Sequence, residues 1–251
     1  DDNGGSDTNI LVRFDVPNKR IDLVSLPRDT LLHNEYRNNK LNFAYAKGGT
    51  ELLMEQIENL LGIPVDFYVT VNLKGFIALV DQIDGVDFDI PINMDYDDPY
   101  QDLHIHFTKG PRHLNGQEAM EVVRFRHNND GTGYGTEDIG RIGTQQAFLK
   151  AVAKQLLQIG NVKNIPALVD IFYTYVKTDL TTGNLVWLGN EALNIGTENI
   201  HFATLPGDGS GYYNKQSVYV LDAQATCDLV NEALNPYNEA LTLEDMDILV
   251  P

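Results

Sequence analysis

Apolar positions recur along this chain with two periods, and the alternation between them predicts short strands interleaved with amphipathic helices. NILVRFD and IDLVSL flank PNKR, which predicts two strands joined as a hairpin by a Pro-Asn turn, with Arg28 and Asp29 directly after the second strand. Residues 33–48 show no period and read as irregular up to Gly48-Gly49. In TELLMEQIENLLG, Leu53, Ile57, Leu60 and Leu61 follow helical spacing and Gly62 ends the run. VDFYVTVN, LKGFIALVDQI and GVDFDIP then read as strand, helix and strand, a β-α-β unit with a right-handed crossover, so the fold class is α/β.

LHIHFTKG alternates strictly and puts His104 and His106 on one strand face. Two such histidines can bind a metal, but no third ligand is evident in the sequence, and a solvated strand face is the favoured reading. LNGQEAM opens a helix, with Asn115 as cap and Glu118 in capping-box position. VVRFR reads as a strand that sends Arg124 and Arg126 off one face. Beyond the loop HNNDGTGYGTE, where GTGYG suggests flexibility, Asp138, Arg141 and Gln145 form one stripe over the first turns of a helix. That helix goes on to bury Ile142, Leu149, Val152 and Leu156, and its polar stripe is expected to meet the arginine strand. Further helices are expected within IPALVDIFYTYVK and TTGNLVWLGNEALNIG, then a strand IHFATL, a loop PGDGSGYYNKQ, a short strand 218–221 and a helix over 222–235. The acidic tail 236–251 reads as loosely held. Without a linker or repeat, residues 1–251 are expected to be one domain.

The chain has 251 residues and a formal charge of -18, which excludes general nucleic-acid binding because a phosphate backbone needs a basic footprint. Four of its eight arginines (Arg28, Arg124, Arg126, Arg141) nevertheless fall in compact polar stretches, the pattern of a local anion pocket in a negative shell. Strand ends in α/β sheets are common ligand positions, although an exposed turn with a local ion pair explains Arg28-Asp29 equally well. Cys227 stands alone, which rules out an intrachain disulfide and suggests a packing residue. Phosphate-binding GxxxxGK[ST], dinucleotide GxGxxG, GxSxG and HExxH motifs are absent. Tyr212 and Tyr213 could stack on sugar rings, though loop tyrosines more often pack.

In order, SDT, SLPRDT, KLNFAYAKGG, LVDQIDGV, GPRHLNGQEAM, VVRFR and DIGRIGTQQ resemble the landmarks of the LytR-CpsA-Psr family of cell-wall glycopolymer transferases, over roughly residues 6–160. The resemblance implies a three-layer α/β/α sandwich around a mixed central sheet, holding a polyprenyl-pyrophosphate lipid. It implies a phosphotransferase that moves a teichoic acid or capsular polysaccharide from that carrier to a peptidoglycan acceptor. Arg28, Arg124, Arg126 and Arg141 would clamp the pyrophosphate, Gln145 would support the head group, and Asp7 would help to hold Mg²⁺. Asp138 is the first candidate for the general base and Asp29 the second, and either could instead orient an arginine. Asp81 reads as a loop anchor.

Two positions depart from the family pattern. Thr144 stands where the family has an arginine, and the aspartate on a strand preceding SDT is absent from this sequence. The sequence starts at DDNGGSDTN without methionine, so an N-terminal membrane anchor outside this chain is expected, with the domain on the extracytoplasmic face of a Gram-positive cell envelope. The alternative is a non-catalytic polyprenyl-pyrophosphate binding or sensory module.

Overall fold

A computed structural model describes residues 4–135, 137–156 and 173–250, with the side chains of Glu137 and Asp138 outside the description. The predicted first hairpin forms: β1 (Asn9–Asp15) and β2 (Arg20–Leu26) pair antiparallel from Asn9↔Leu26 to Asp15↔Arg20. Asn18 closes its turn by donating to Asp15 Oδ1 from both the backbone amide and the side chain, at 3.2 and 3.0 Å. The hydrogen bond from Asn18 holds the Asp15 carboxyl below its ordinary value.

The helix α1 (Leu41–Leu61) starts earlier than the sequence suggests, inside the stretch read as irregular. Gly48 and Gly49 kink it instead of preceding it, and Gly49 at φ 67° supplies a conformation that side-chain-bearing residues rarely adopt. VDFYVTVN contributes only β3 (Val69–Val71), followed as expected by α2 (Leu73–Gln82) and β4 (Val86–Ile90). These do not make a parallel β-α-β unit. β3 pairs antiparallel with β8 (Val176–Thr178), and β4 pairs antiparallel with β7 (Gly110–Leu114). Strand periodicity reports which residues face inward but not which partner a strand takes, and the partner was the missing information. β5 (Met94–Asp98) and β6 (Leu103–Phe107) form a second hairpin.

α3 (Gly116–Arg124) begins with the predicted capping box of Asn115 and Glu118, and it absorbs VVR, so VVRFR is not a strand. The capped helix start outweighs the β propensity of two valines because propensity yields to tertiary context. α4 (Glu137–Leu156) is the long helix after the loop, and α5 (Thr182–Ile195) is the TTGNL helix, capped by Thr181 and Asn184. The helix expected within IPALVDIFYTYVK lies largely outside the described residues.

β9 (Ile200–Thr204) pairs parallel with β2, making β1-β2-β9 a mixed sheet and the fold a mixed α/β one. PGDGSGYY, read as a loop, is β10 (Gly207–Tyr213), paired antiparallel with β11 (Gln216–Leu221). Asn214 and Lys215 both have positive φ, 46° and 64°, the backbone that a two-residue hairpin turn requires. α6 (Ala223–Ala233) follows, capped by Asp222.

The described contacts divide the chain into two compact units, Asp1–Tyr68 with Asn199–Pro251, and Val69–Glu198. Each has its own apolar core. The first gathers Val24, Leu26, Leu41, Leu60, Leu205 and Val230, and the second gathers Val86, Ile90, Ile105, Leu114, Phe125 and Phe148. The acidic tail is part of the first unit and is not loosely held. Leu241, Met246 and Ile248 pack on that core, the Leu241 carbonyl accepts from Asn231 Nδ2 at 2.9 Å, and the Asp247 amide donates to the Asn59 carbonyl at 3.1 Å. Three apolar residues spaced among the acidic ones anchor it. Cys227 is buried beneath that segment, its Sγ 3.4 Å from the Leu241 carbonyl. Among the described residues, no helix is long and apolar enough to cross a membrane.

Candidate functional site

In the first unit, the segment after β2 is fixed by its backbone. Thr30, fully buried, donates to the Pro27 carbonyl through both its amide (3.0 Å) and its hydroxyl (2.6 Å). The Arg28 carbonyl accepts from the Asn42 amide at 2.9 Å, and the Asp29 carbonyl accepts from the Tyr219 amide at 2.8 Å. Pro27-Arg28-Asp29 is thus held between the start of α1 and β11, with its side chains projecting from a rigid base.

Those side chains form one polar group. Arg28 makes a short ion pair with Asp7, and its Nε lies 3.5 Å from Asp29 Oδ1. Lys40 Nζ donates to Asp29 Oδ2 at 3.1 Å, and Asn42 Nδ2 reaches Asp29 Oδ1 at 3.5 Å. Asp29 therefore sits between two cations, an arrangement that orients Arg28 and Lys40. Lys40 and Asn42 received no role from the sequence. Their signal was available in KLNFAYAKGG, but only three-dimensional proximity connects that motif with SLPRDT.

In the second unit, Arg124 ends α3, where a cation is favoured by the helix dipole, and it donates to Gln101 Oε1 at 2.6 Å. Phe125 leaves the helix with extended φ and ψ of -58° and 135°, and its buried ring meets Tyr134 edge-on at 5.5 Å. Gln145 on α4 donates through Nε2 to the Val123 carbonyl at 3.1 Å, so the polar stripe of α4 meets the end of α3. Arg141 lies one turn earlier on that stripe and is only 7% exposed. Thr144, also buried, donates to Tyr134 Oη at 2.7 Å. Burial raises the Tyr134 phenol above its ordinary value, against the lowering effect of the Thr144 hydrogen bond.

The loop between Arg126 and Tyr134 is anchored, contrary to the flexibility suggested by its glycines. His127 bridges Gly133, the Asn128 amide donates to the Thr132 carbonyl at 2.7 Å, and Asn128 Nδ2 donates to Thr132 Oγ1 at 2.8 Å. Glycine there supplies positive φ, 81° at Gly131 and 157° at Gly133, for a tight hydrogen-bonded turn. Asp81 accepts from the Gly116 amide at 2.7 Å and so anchors the start of α3. A Cβ at Gly116 would come within 2.2 Å of the Ile77 carbonyl oxygen, so α2 and α3 approach too closely there for any side chain. Asp138 lies in the first turn of α4, and its side chain is outside the described residues.

The arginine-bearing segments thus fall into two groups, Arg28 in one unit and Arg124, Arg126 and Arg141 in the other. A sequence model describing the LytR_cpsA_psr family matches residues 1–235. The chain belongs to this family. Among LytR_cpsA_psr relatives, it is 32% identical over 231 residues to the polyisoprenyl-teichoic acid–peptidoglycan teichoic acid transferase TagV of Bacillus subtilis, covering 89% of this chain and 57% of that protein. The chain thus spans less than two thirds of TagV's length. It is also 32% identical over 231 residues to the transferase TagU of Bacillus cereus, covering 91% of this chain and 72% of that one. The crystal structure of Bacillus subtilis TagV superposes with a TM-score of 0.77 at 28% identity, covering 98% of this chain and 91% of that structure.

Proposed function

We propose that this LytR_cpsA_psr chain is the catalytic domain of an enzyme that transfers a teichoic acid or capsular-type glycopolymer from a polyprenyl-pyrophosphate carrier to peptidoglycan. The observation that carries the reading is the 32% identity over 231 residues to TagV and TagU, whose names give the transfer of teichoic acid from a polyisoprenyl carrier to peptidoglycan. The chemistry of the arginine-bearing segments supports it. Guanidinium forks bind phosphate oxygens bidentately, and in a chain of charge -18 such groups need a function to concentrate them. Arg124, Arg126 and Arg141 take the pyrophosphate in the second unit, and Arg28 has the same phosphate-binding role in the first. The exposed apolar side chains on β3 and on α5, Val69 and Trp187 each 50% exposed among them, are of the kind a polyprenyl tail needs.

In the transfer, an acceptor sugar hydroxyl attacks the glycan-linked phosphorus, the bond to the bridging oxygen breaks, and polyprenyl monophosphate leaves. The glycan ends in a phosphodiester, and the hydroxyl proton passes to a base. Asp138 is assigned that role, because Asp29 already orients Arg28 and Lys40. Water in place of the hydroxyl would give pyrophosphate hydrolysis as a side reaction. Mg²⁺ belongs to the proposal as the ion that would neutralise charge developing on the departing polyprenyl phosphate. Asp7, its side chain 76% exposed, offers the hard oxygen donor of an ion that binds through one or two carboxylates and substrate phosphates. An extracytoplasmic location follows from the substrate.

One observation favours a second reading, a binding or sensory module for the same lipid. Thr144 stands where the family resemblance implies an arginine and directs its hydroxyl to Tyr134, adding no charge for a phosphate. Binding of polyprenyl pyrophosphate to the chain and to an Arg124→Ala, Arg126→Ala variant tests the phosphate role. Two lost charge-assisted hydrogen bonds correspond to roughly 100-fold weaker binding or more. Equal binding would withdraw the phosphate role from these arginines.

A further inference from the structure

The β5–β6 hairpin carries a side-chain group that the transfer chemistry does not use. In its register Asp97 lies opposite His104 and Asp95 opposite His106, and alternate strand positions share a face. Asp97 is the third ligand that the sequence did not reveal, because it reaches the two histidines only through strand pairing. Asp97 Oδ1 lies 2.5 Å from His104 Nδ1 and 3.3 Å from His106 Nε2, and the three residues offer ligand atoms all within 4.8 Å of one another. The other ring nitrogen of His106, Nδ1, is 2.8 Å from Asp95 Oδ1, which holds the ring proton on Nδ1 and leaves the Nε2 lone pair available to an ion.

The hairpin that presents these groups is braced from its outer edge. The amides of Asp95 and Asp97 each donate to a side-chain oxygen, of Asn128 and Asn129 respectively, at 2.7 Å, and the Asn129 amide donates back to the Asp95 carbonyl at 3.1 Å. A tetrahedral ion with bonds of about 2.0–2.1 Å separates its ligand atoms by roughly 3.3 Å. The His106–Asp97 edge already has that length. The His104–Asp97 edge must open by about 0.8 Å, which side-chain rotation of exposed residues supplies.

We propose that Asp97, His104 and His106 form a binding site for a divalent transition-metal ion of the Zn²⁺ class, with Asp95 orienting His106. Two imidazoles and one carboxylate select such ions over Mg²⁺, so this site is chemically separate from the hard cation assigned to the transfer reaction and does not depend on it. Three protein ligands leave a fourth position for water or an outside donor. The ion replaces the hydrogen bond between His104 and Asp97.

The test is titration of the untagged chain with Zn²⁺ by calorimetry and with Co²⁺ by visible absorption, with circular dichroism to establish that each variant is folded. The expected result is one ion per chain and a tetrahedral Co²⁺ spectrum. His104→Ala and His106→Ala should each weaken binding by about 100-fold or more, and Asp95→Asn by about 10- to 100-fold. Asp97→Asn keeps the side-chain shape and should abolish the tetrahedral spectrum. His113→Ala, on β7 opposite Asp87 of β4, should leave binding unchanged. No saturable binding, or binding that survives both histidine variants, would overturn the proposal.

Discussion

Gly140 and Gly143 lie three residues apart in α4, and helix propensity treats them alike: replacing either by Ala should stabilise the chain by about 0.8–1 kcal/mol. Packing separates them. A Cβ at Gly143 meets nothing within 4 Å, whereas one at Gly140 would come within 2.2 Å of Tyr134 Cβ and 2.4 Å of its Cγ. Those are atoms at the root of the tyrosine, so Tyr134 has to leave its place. It would then lose its hydrogen bond with Thr144, about 1 kcal/mol, and its edge contact with Phe125, about 0.5–1.5 kcal/mol. Strain left in the crowded turn adds to that loss, typically about 1 kcal/mol or more. Subtracting the propensity gain leaves Gly140→Ala destabilised by about 1.5–2.7 kcal/mol. Urea unfolding of both variants checks this, and combining Gly140→Ala with Tyr134→Ala should restore the propensity gain. Equal stabilisation by the two substitutions would refute the claim that Tyr134 packs against α4.

Ending the chain at Ala240 should destabilise it by about 3 kcal/mol, roughly 1 kcal/mol for each of Leu241, Met246 and Ile248, as read by urea unfolding. The Asp87 hydrogen bond raises the His113 imidazole above its ordinary value, with Asp84 adding to the effect. A raised folded value contributes stability that is complete below the unfolded value near 6.5 and is lost as pH rises through the folded one. The pair is largely exposed, so unfolding free energies at pH 6 and pH 8 should differ by no more than about 0.5 kcal/mol from this source, and Asp87→Asn should remove most of that difference.

Local signals in the sequence were reliable where one element decides the outcome. Asn115 and Glu118 announce the start of α3, PNKR announces the first hairpin, and the leucines before Gly62 announce the second half of α1. Signals that depend on partners were not legible. VVRFR carries strand composition, yet its first residues continue a helix that the capping box had already started. PGDGSGYY has loop composition, yet it gains a strand partner in β11. The family's motif order placed Arg28, Arg124, Arg126 and Arg141 on the list of candidates. It did not show that Lys40 and Asn42 share Asp29 with Arg28, or that Asp97 faces two histidines, because both facts depend on strand and helix pairing across the sequence.

The central claim is turnover. Incubating the chain with a polyprenyl-pyrophosphate-linked glycan, a peptidoglycan acceptor and Mg²⁺, and following both products by mass spectrometry, tests it most directly. The account predicts glycan joined to the acceptor through a phosphodiester, an equal amount of polyprenyl monophosphate, and loss of both with Arg124→Ala, Arg126→Ala. Donor that binds tightly while neither product forms would contradict the transferase reading and leave a lipid-binding module in its place.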